Sequence, residues 1–86
     1  MDTGMVINRL ATVILRDRGA KHLSQREYAE LMGSTVATVQ RIEYRLGLPN
    51  LSTFAALCAF TGWSPNDLLG WDEETKSFKP SPNPGR

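Results

Sequence analysis

The sequence has few of the residues that build disulfides and metal sites. Its 86 residues include one cysteine, Cys58, and one histidine, His22. A lone cysteine excludes a disulfide within the chain and is typical of a reducing cytoplasm, where we expect the protein. No cluster has metal-ligand spacing, and neither a glycine-rich phosphate loop nor a nucleophile–base arrangement is present. We therefore expect no cofactor, no metal and no enzymatic activity.

Long apolar runs and a strong charge of one sign are also missing. No run approaches the roughly 18 apolar residues of a membrane span, and residues 1–19 lack the features of a signal peptide. We therefore expect neither membrane insertion nor secretion. The formal net charge is only +1, although residues 9–45 hold seven basic and four acidic residues, a local net charge of +3. So modest a charge predicts contact with only a few phosphates per chain, should the chain bind nucleic acid.

Alternation of apolar and polar residues, the mark of a half-buried strand, is absent too, and the pattern is helical. Periodicity and capping residues predict five helices: about Met5–Asp17, Ser24–Met32, from after Ser34 or Thr35 to about Tyr44, from after Asn50 to Gly62, and Ser64–Leu69. Gly19 is expected to end the first helix. The sequence thus predicts an all-α domain over residues 1–71.

The C-terminal segment differs in composition from this body. Residues 72–86, DEETKSFKPSPNPGR, hold three of the five prolines and no periodic apolar pattern beyond Phe78. Such a composition predicts a disordered, Pro-rich tail. The alternative is a peptide around Phe78 that docks on a partner protein.

Two predicted helices meet at a tight turn in the middle of the chain. Ser24 and Glu27 have the spacing of a capping box at the start of the second helix. Gly33 can take the left-handed conformation that ends this helix. Val39 and Ile42, three residues apart, form the inner edge of the third helix. The pair fits two interpretations, a simple helical bundle and a unit that presents its second helix to the major groove of DNA.

Two segments resemble a known family over residues from about 5 to 70: LSQREYAELMGSTVATVQRIE and PNLSTFAALCAFTGWSPNDLL. They are similar to the phage-repressor type of helix-turn-helix domain, the Cro/C1 or XRE family. The shared features, in the family's order and spacing, are Gln25, Ala29, Gly33, Val39, Ile42, Glu43, Pro49, Leu51 and Gly62. The resemblance implies a five-helix lambda-repressor-like fold and a sequence-specific transcriptional regulator, which we expect to be a repressor. The alternative is an interaction module, such as an antitoxin, that binds a partner protein through its tail or an apolar surface.

The resemblance also implies contacts to double-stranded DNA. It places four residues of the third helix against the bases: Val36, Ala37, Gln40 and Arg41. Arginine can pair with guanine, glutamine with adenine, and small apolar side chains can contact a thymine methyl. Contacts to the DNA backbone are expected at the second helix N-terminus and beside the third helix, from Ser24, Gln25, Thr35, Thr38, Tyr44, Arg45 and Lys21. The alternative for Arg41 and Arg45 is a solvated charge.

The chain departs from the family's pattern after the first helix. The link GAKHL is longer than usual, so the position of the residues before it is less constrained. The family often pairs an arginine of the first helix with the glutamate that corresponds to Glu43. We expect Arg16 rather than Arg18 to be that partner.

A homodimer is expected on physical grounds. One recognition helix contacts only a few base pairs, so useful specificity needs two half-sites. The candidate interface residues are apolar and lie in the second half of the chain: Leu46, Leu48, Trp63, Leu69 and Trp71. For Trp63 and Trp71 the alternative is packing on their own domain.

Overall fold

Five helices and a small hairpin follow one another along the chain. The computed structural model describes residues 3–79, so Pro80, Pro82 and Pro84 of the predicted tail lie outside the described residues. The elements are α1 (Thr3–Lys21), α2 (Gln25–Met32), α3 (Val36–Glu43), α4 (Leu51–Thr61), α5 (Pro65–Leu69), β1 (Trp71–Asp72) and β2 (Ser77–Phe78). The expected five-helix, all-α class is confirmed over this part of the chain. No helix within residues 3–79 has the length and apolar character to cross a membrane.

The first helix is longer than the sequence predicts. α1 begins at Thr3 and continues through Gly19 to Lys21, so the expectation that Gly19 ends it is wrong. A glycine within a helix costs only about 1 kcal/mol, which favourable neighbours can offset. Lys21 pairs with Asp17 one turn earlier, at 2.7 Å, and its charge favours a helix C-terminus. The helix ends at Lys21, and the next residue, His22, has a φ of 56°.

The tight turn between α2 and α3 forms as the capping residues indicate. The Glu27 N–H donates to Ser24 Oγ at 3.1 Å, and the Ser24 N–H donates to Glu27 Oε1 at 2.9 Å. Hydrogen bonds from the Ser24 backbone and side chain lower the pKa of the Glu27 carboxyl. Gly33 ends α2 with a φ of 78°, a left-handed conformation that glycine adopts without steric cost. Thr35 then caps α3 by accepting from the Thr38 N–H, so the two helices are separated by only three residues.

The core lies between α1 and the α2–α3 pair, with α4 and α5 closing one side. Its buried apolar residues are Val6, Leu10, Val13, Ile14, Tyr28, Ala29, Met32, Val39, Ile42, Leu57 and Leu68. The Tyr28 ring meets the Phe60 ring edge-on at 5.0 Å, and its hydroxyl donates to Asp17 Oδ2 at 2.7 Å. Burial raises the pKa of the Tyr28 phenol. The core thus draws on all five helices, with Leu57 as α4's fully buried residue.

A two-stranded hairpin follows α5, within the segment expected to be disordered. β1 and β2 are antiparallel, with Trp71 opposite Phe78, and the two rings lie 5.0 Å apart. Lys79 closes the hairpin by donating its N–H to the Gly70 carbonyl at 2.7 Å. The buried Arg9 of α1 donates to the Lys79 carbonyl at 3.1 Å. For residues 72–79 the expectation of disorder therefore needs correction, since the ring contact and the bond to α1 order them. The division at residue 71 stays a prediction.

Two glycine substitutions test these backbone assignments. Gly70 ends α5 with a φ of 78°, and an added Cβ would lie 2.6 Å from Arg9 Cζ. We expect Gly70→Ala to lower the free energy of unfolding by about 1–3 kcal/mol, because it strains the backbone and displaces a buried arginine. Gly19 is helical, and no atom lies within 4 Å of an added Cβ. Gly19→Ala should therefore raise the free energy of unfolding by about 0.5–1 kcal/mol. Urea unfolding followed by circular dichroism measures both; equal stabilities would contradict the assignments.

Candidate nucleic-acid interface

The third helix divides into a buried side and an exposed side. Val39, Ile42 and Glu43 are buried against α1 and α2, whereas Ala37 and Arg41 are exposed one turn apart. Four residues make up the outer surface, which we call the reading face: Val36, Ala37, Gln40 and Arg41. Val36 and Gln40 are half-buried at its edge. The structure therefore brings together the four residues that the resemblance placed against the bases, whereas their contact with DNA stays a prediction.

An ion pair fastens the C-terminal end of α3 to α1. Arg18 donates to Glu43 through two nitrogens, with Nε 2.6 Å from Oε2 and Nη2 3.0 Å from Oε1. The Glu43 side chain is only 2% exposed, and its hydrogen bonds raise the pKa of the Arg18 guanidinium. The expectation that Arg16 is the partner is wrong. Because α1 continues past Asp17, Arg18 lies on the side of the helix that meets α3.

The side chain of Gln25, the first residue of α2, lies between the ion pair and the reading face. Its Nε2 donates to Glu43 Oε1 at 2.9 Å and to the Tyr44 hydroxyl at 3.3 Å. Its Oε1 accepts from Gln40 Nε2 at 3.2 Å. Sequence reasoning expected Gln25 to contact a phosphate and did not foresee these bonds. The residues lie up to 19 positions apart, so no local spacing signals the contact.

The basic residues expected at the DNA backbone are already engaged within the protein. Arg45 has a φ of 59°, and its Nε donates to Asn8 Oδ1 at 2.7 Å. Lys21 pairs with Asp17 and lies over the Phe60 ring at 3.8 Å. Their contacts with phosphate stay predictions. A phosphate contact of Arg45 or Lys21 would have to form beside these bonds or replace them.

The remaining expected backbone contacts lie at the helix starts and at the end of α3. Thr35 and Thr38 share a hydroxyl contact of 3.0 Å at the start of α3, and Ser24 caps α2. Tyr44 follows α3 and is 57% exposed. Helix N-termini attract anions through their free N–H groups and the helix dipole. These placements suit phosphate contacts, which stay predictions.

Arg41 takes an unforeseen position on the reading face. Its guanidinium covers Gly47, where an added Cβ would lie 2.5 Å from Nη2. The side chain is exposed, and its charge is at the end of a flexible stem. In the free protein, Arg41 therefore lies along the α3–α4 loop and can swing toward a base.

The five candidate dimer residues lie in different environments. Leu46 and Leu48 are 64% and 38% exposed on the α3–α4 loop, whereas Trp63 and Leu69 are half-buried against the core. Trp71 packs on Phe78, so its ring contacts its own domain. Sequence reasoning did not include Leu51, which is 82% exposed at the start of α4. An apolar groove of about 170 Å³ lies here, lined by Val6, Leu10, Leu48, Pro49, Leu51, Phe54 and Leu69.

Removal of the arginine that neutralises Glu43 tests the ion pair. We expect Arg18→Met to lower the free energy of unfolding by about 2–4 kcal/mol, because it leaves a buried carboxylate without its partner. Arg16→Met removes the same charge from an exposed position two residues earlier, and we expect a change within about 1 kcal/mol. Thermal and urea unfolding of both variants measure the difference. The ion pair is unimportant for stability if the two variants unfold alike.

The family comparison agrees with this geometry. A helix-turn-helix family model matches residues 14–68, from within α1 to α5. No curated protein and no solved structure matches the chain. The matched family consists of DNA-binding regulatory domains rather than enzymes. Because the match covers more than half of the sequence, the chain belongs to the Cro/C1-type (XRE) helix-turn-helix family of DNA-binding proteins.

Proposed function

We propose that the protein is a sequence-specific transcriptional repressor that acts in the cytoplasm and binds double-stranded DNA as a homodimer. The observation that supports this most is the reading face of α3, whose opposite side is buried against α1 and α2. A helix held in this way can enter the major groove without losing its own packing. Occupation of a promoter would then exclude other proteins from the same DNA.

The chemistry of the reading face suits a DNA half-site that contains guanine, adenine and thymine. Arg41 can donate two hydrogen bonds to the O6 and N7 atoms of a guanine. Gln40 can donate to N7 and accept from N6 of an adenine. Val36 and Ala37 offer apolar contact to a thymine methyl. We propose that these four residues determine the half-site.

Phosphate contacts hold the helix in register. We propose that they come from the N-terminus of α2, from Thr35 and Thr38, and from Tyr44, Arg45 and Lys21. The exposed Lys21–Asp17 pair contributes at most about 1 kcal/mol, so a phosphate can replace Asp17 at small cost.

A second copy of the chain is the partner that best fits the apolar groove. In a two-fold dimer, the same surface serves both subunits, so a protruding side chain must lie beside a depression that can accept it. Leu51 protrudes at 82% exposure from the rim of the groove, and Leu46 is exposed on the adjoining loop. Leu48 and Leu69 line the groove itself. We propose that these leucines form the interface, while Trp63 and Trp71 stabilise their own domain.

Selection of bound sequences from random DNA tests the proposed function. We expect an inverted repeat with half-sites about one helical turn apart. Arg41→Ala should weaken binding to that site by about 1–3 kcal/mol and relax one base position, because a guanine loses its two donors. Arg16→Ala removes an equal charge from α1, away from the reading face, and should leave every base preference intact. The base-reading role is refuted if no sequence is enriched or if Arg41→Ala binds like the parent.

A pair of leucine variants tests the interface. Leu51→Gln should raise the dimer dissociation constant at least about tenfold, because two buried leucine side chains lose their burial in each dimer. Leu31 is 62% exposed on α2, outside the groove, so Leu31→Gln serves as the control and should dimerise like the parent. Sedimentation equilibrium measures both. Unchanged association of Leu51→Gln would show that the dimer, if present, uses another surface.

A further inference from the structure

Arg45 lies just beyond the C-terminal end of α3 and contacts α1 through its side chain. Its Nε donates to Asn8 Oδ1 at 2.7 Å, across 37 positions of the sequence. Both residues are exposed. The Arg45 backbone is left-handed, with a φ of 59°, and its N–H donates to the Ile42 carbonyl at 3.2 Å. The residue that closes α3 therefore also joins it to α1 at the protein surface.

The left-handed backbone at Arg45 is strained, and the bond to Asn8 offsets part of the strain. Residues with a Cβ are uncommon in this conformation, which glycine most often adopts at helix ends. Such a residue persists there only when the surrounding structure holds it in place. The bond from Arg45 Nε to Asn8 is a contact of that kind. The helix end and the side-chain bond together fix the direction in which the guanidinium leaves α3.

The partner of Arg45 is a neutral amide, which distinguishes this arginine from two other basic residues of the domain. Arg18 and Lys21 each pair with a carboxylate. Within residues 3–79, no carboxylate forms an ion pair with Arg45. An amide oxygen holds a guanidinium by a hydrogen bond without cancelling its charge. Asn8 therefore orders Arg45 and leaves its positive charge to an anion from outside the domain.

The guanidinium of Arg45 also keeps donors for such an anion. Arginine has five N–H groups arranged in a planar fork. Nε donates to Asn8, and one N–H of Nη1 makes a long bond of 3.5 Å to the Glu43 carbonyl. Both N–H groups of Nη2 and the second of Nη1 remain. Together they match two oxygens of one phosphate.

We propose that Asn8 is a positioning residue that holds Arg45 as a clamp for one phosphate of the DNA backbone. This role rests on the proposed function, since that function supplies DNA as the ligand. Arg45 stands out among the expected backbone contacts because its side chain is ordered before DNA binds. Lys21, by contrast, has to exchange Asp17 for the phosphate. Through Asn8, α1 takes part in DNA binding.

The variant Asn8→Asp tests this role, because it keeps the size of the side chain and replaces the neutral acceptor with a carboxylate. The new ion pair should hold Arg45 and cancel its charge. We expect affinity for the selected site and for random duplex DNA to fall by the same factor, at least about fivefold per chain at about 0.1 M salt. The slope of log affinity against log salt should become shallower by about 0.9 per chain. Base preferences should stay as in the parent, because a phosphate contact carries no sequence information.

Two further measurements separate the position of Arg45 from its charge. Asn8→Ala removes the acceptor without adding charge, so DNA itself must order Arg45. Affinity should then fall about two- to tenfold with an unchanged salt slope, the effect of immobilising one long side chain. Asn8→Asp in the Arg45→Met background adds the same charge where no guanidinium can be neutralised, so its effect should be smaller than in the parent. An equal effect in both backgrounds would show simple repulsion of DNA by the carboxylate and overturn the proposal.

The outcomes also separate the role of Asn8 from the proposed function. Asn8→Asp should unfold at the urea concentration of the parent or above it, so its lower affinity is not a loss of fold. If the parent binds no duplex DNA, the proposed function and the role of Asn8 both fail. If the parent selects a site and Asn8→Asp keeps both its affinity and its salt slope, only the role of Asn8 is overturned. A loss confined to one base position would overturn it too, because Arg45 would then contact a base.

Discussion

The carboxylate of Glu43 lies almost wholly out of water, and the arrangement of the first three helices follows from compensating it. A buried charge is tolerated only when it is paired and its oxygens are hydrogen-bonded. Arg18 supplies two bonds from α1, and Gln25 supplies a third from α2. The three helices therefore meet at one side chain near the C-terminal end of α3. Any rotation of α3 about its axis would break these bonds, so its outer surface is fixed as firmly as its inner one.

The hydrogen bonds to Glu43 define the orientation of α3 about its axis, which apolar packing alone does not. Val39 and Ile42 hold α3 against the core, yet apolar contacts are non-directional and tolerate small rotations. Hydrogen bonds have preferred distances and angles, so the bonds to Glu43 define an orientation. Each hydrogen bond also has a donor end and an acceptor end, because an acceptor can be satisfied only by a donor. Through Gln25, that direction reaches Gln40 on the reading face. A continuous set of hydrogen bonds therefore connects the core with the reading face.

The sequence predicts those features whose cause lies within a few residues, and it misses those whose cause is distant. The capping box at Ser24 and Glu27 and the turn at Gly33 are local, and the structure has them as expected. The extension of α1 through Gly19 is supported by the contacts of Lys21 with Asp17 and with the distant Phe60 ring, which outweigh the helix propensity of one residue. The hairpin at Trp71 depends on a bond to Arg9, 70 residues before Lys79. The hydrogen bonds of Gln25 and the exposure of Leu51 are missed because family resemblance transfers positions, not contacts.

Internal bonds also explain how so weakly charged a chain can be suited to DNA. Arg18 is committed to Glu43, and Arg9 to a backbone carbonyl. Fewer basic side chains are therefore available to phosphates than the sequence suggests, and the phosphate contribution, which is strong only for many contacts, is modest. A protein that cannot rely on phosphates must gain affinity from oriented base contacts and from a second half-site. In the proposed complex, the base contacts of Gln40 and Arg41 would supply the first. In the proposed dimer, the leucines around the apolar groove would supply the second, because they would join two reading faces without adding charge.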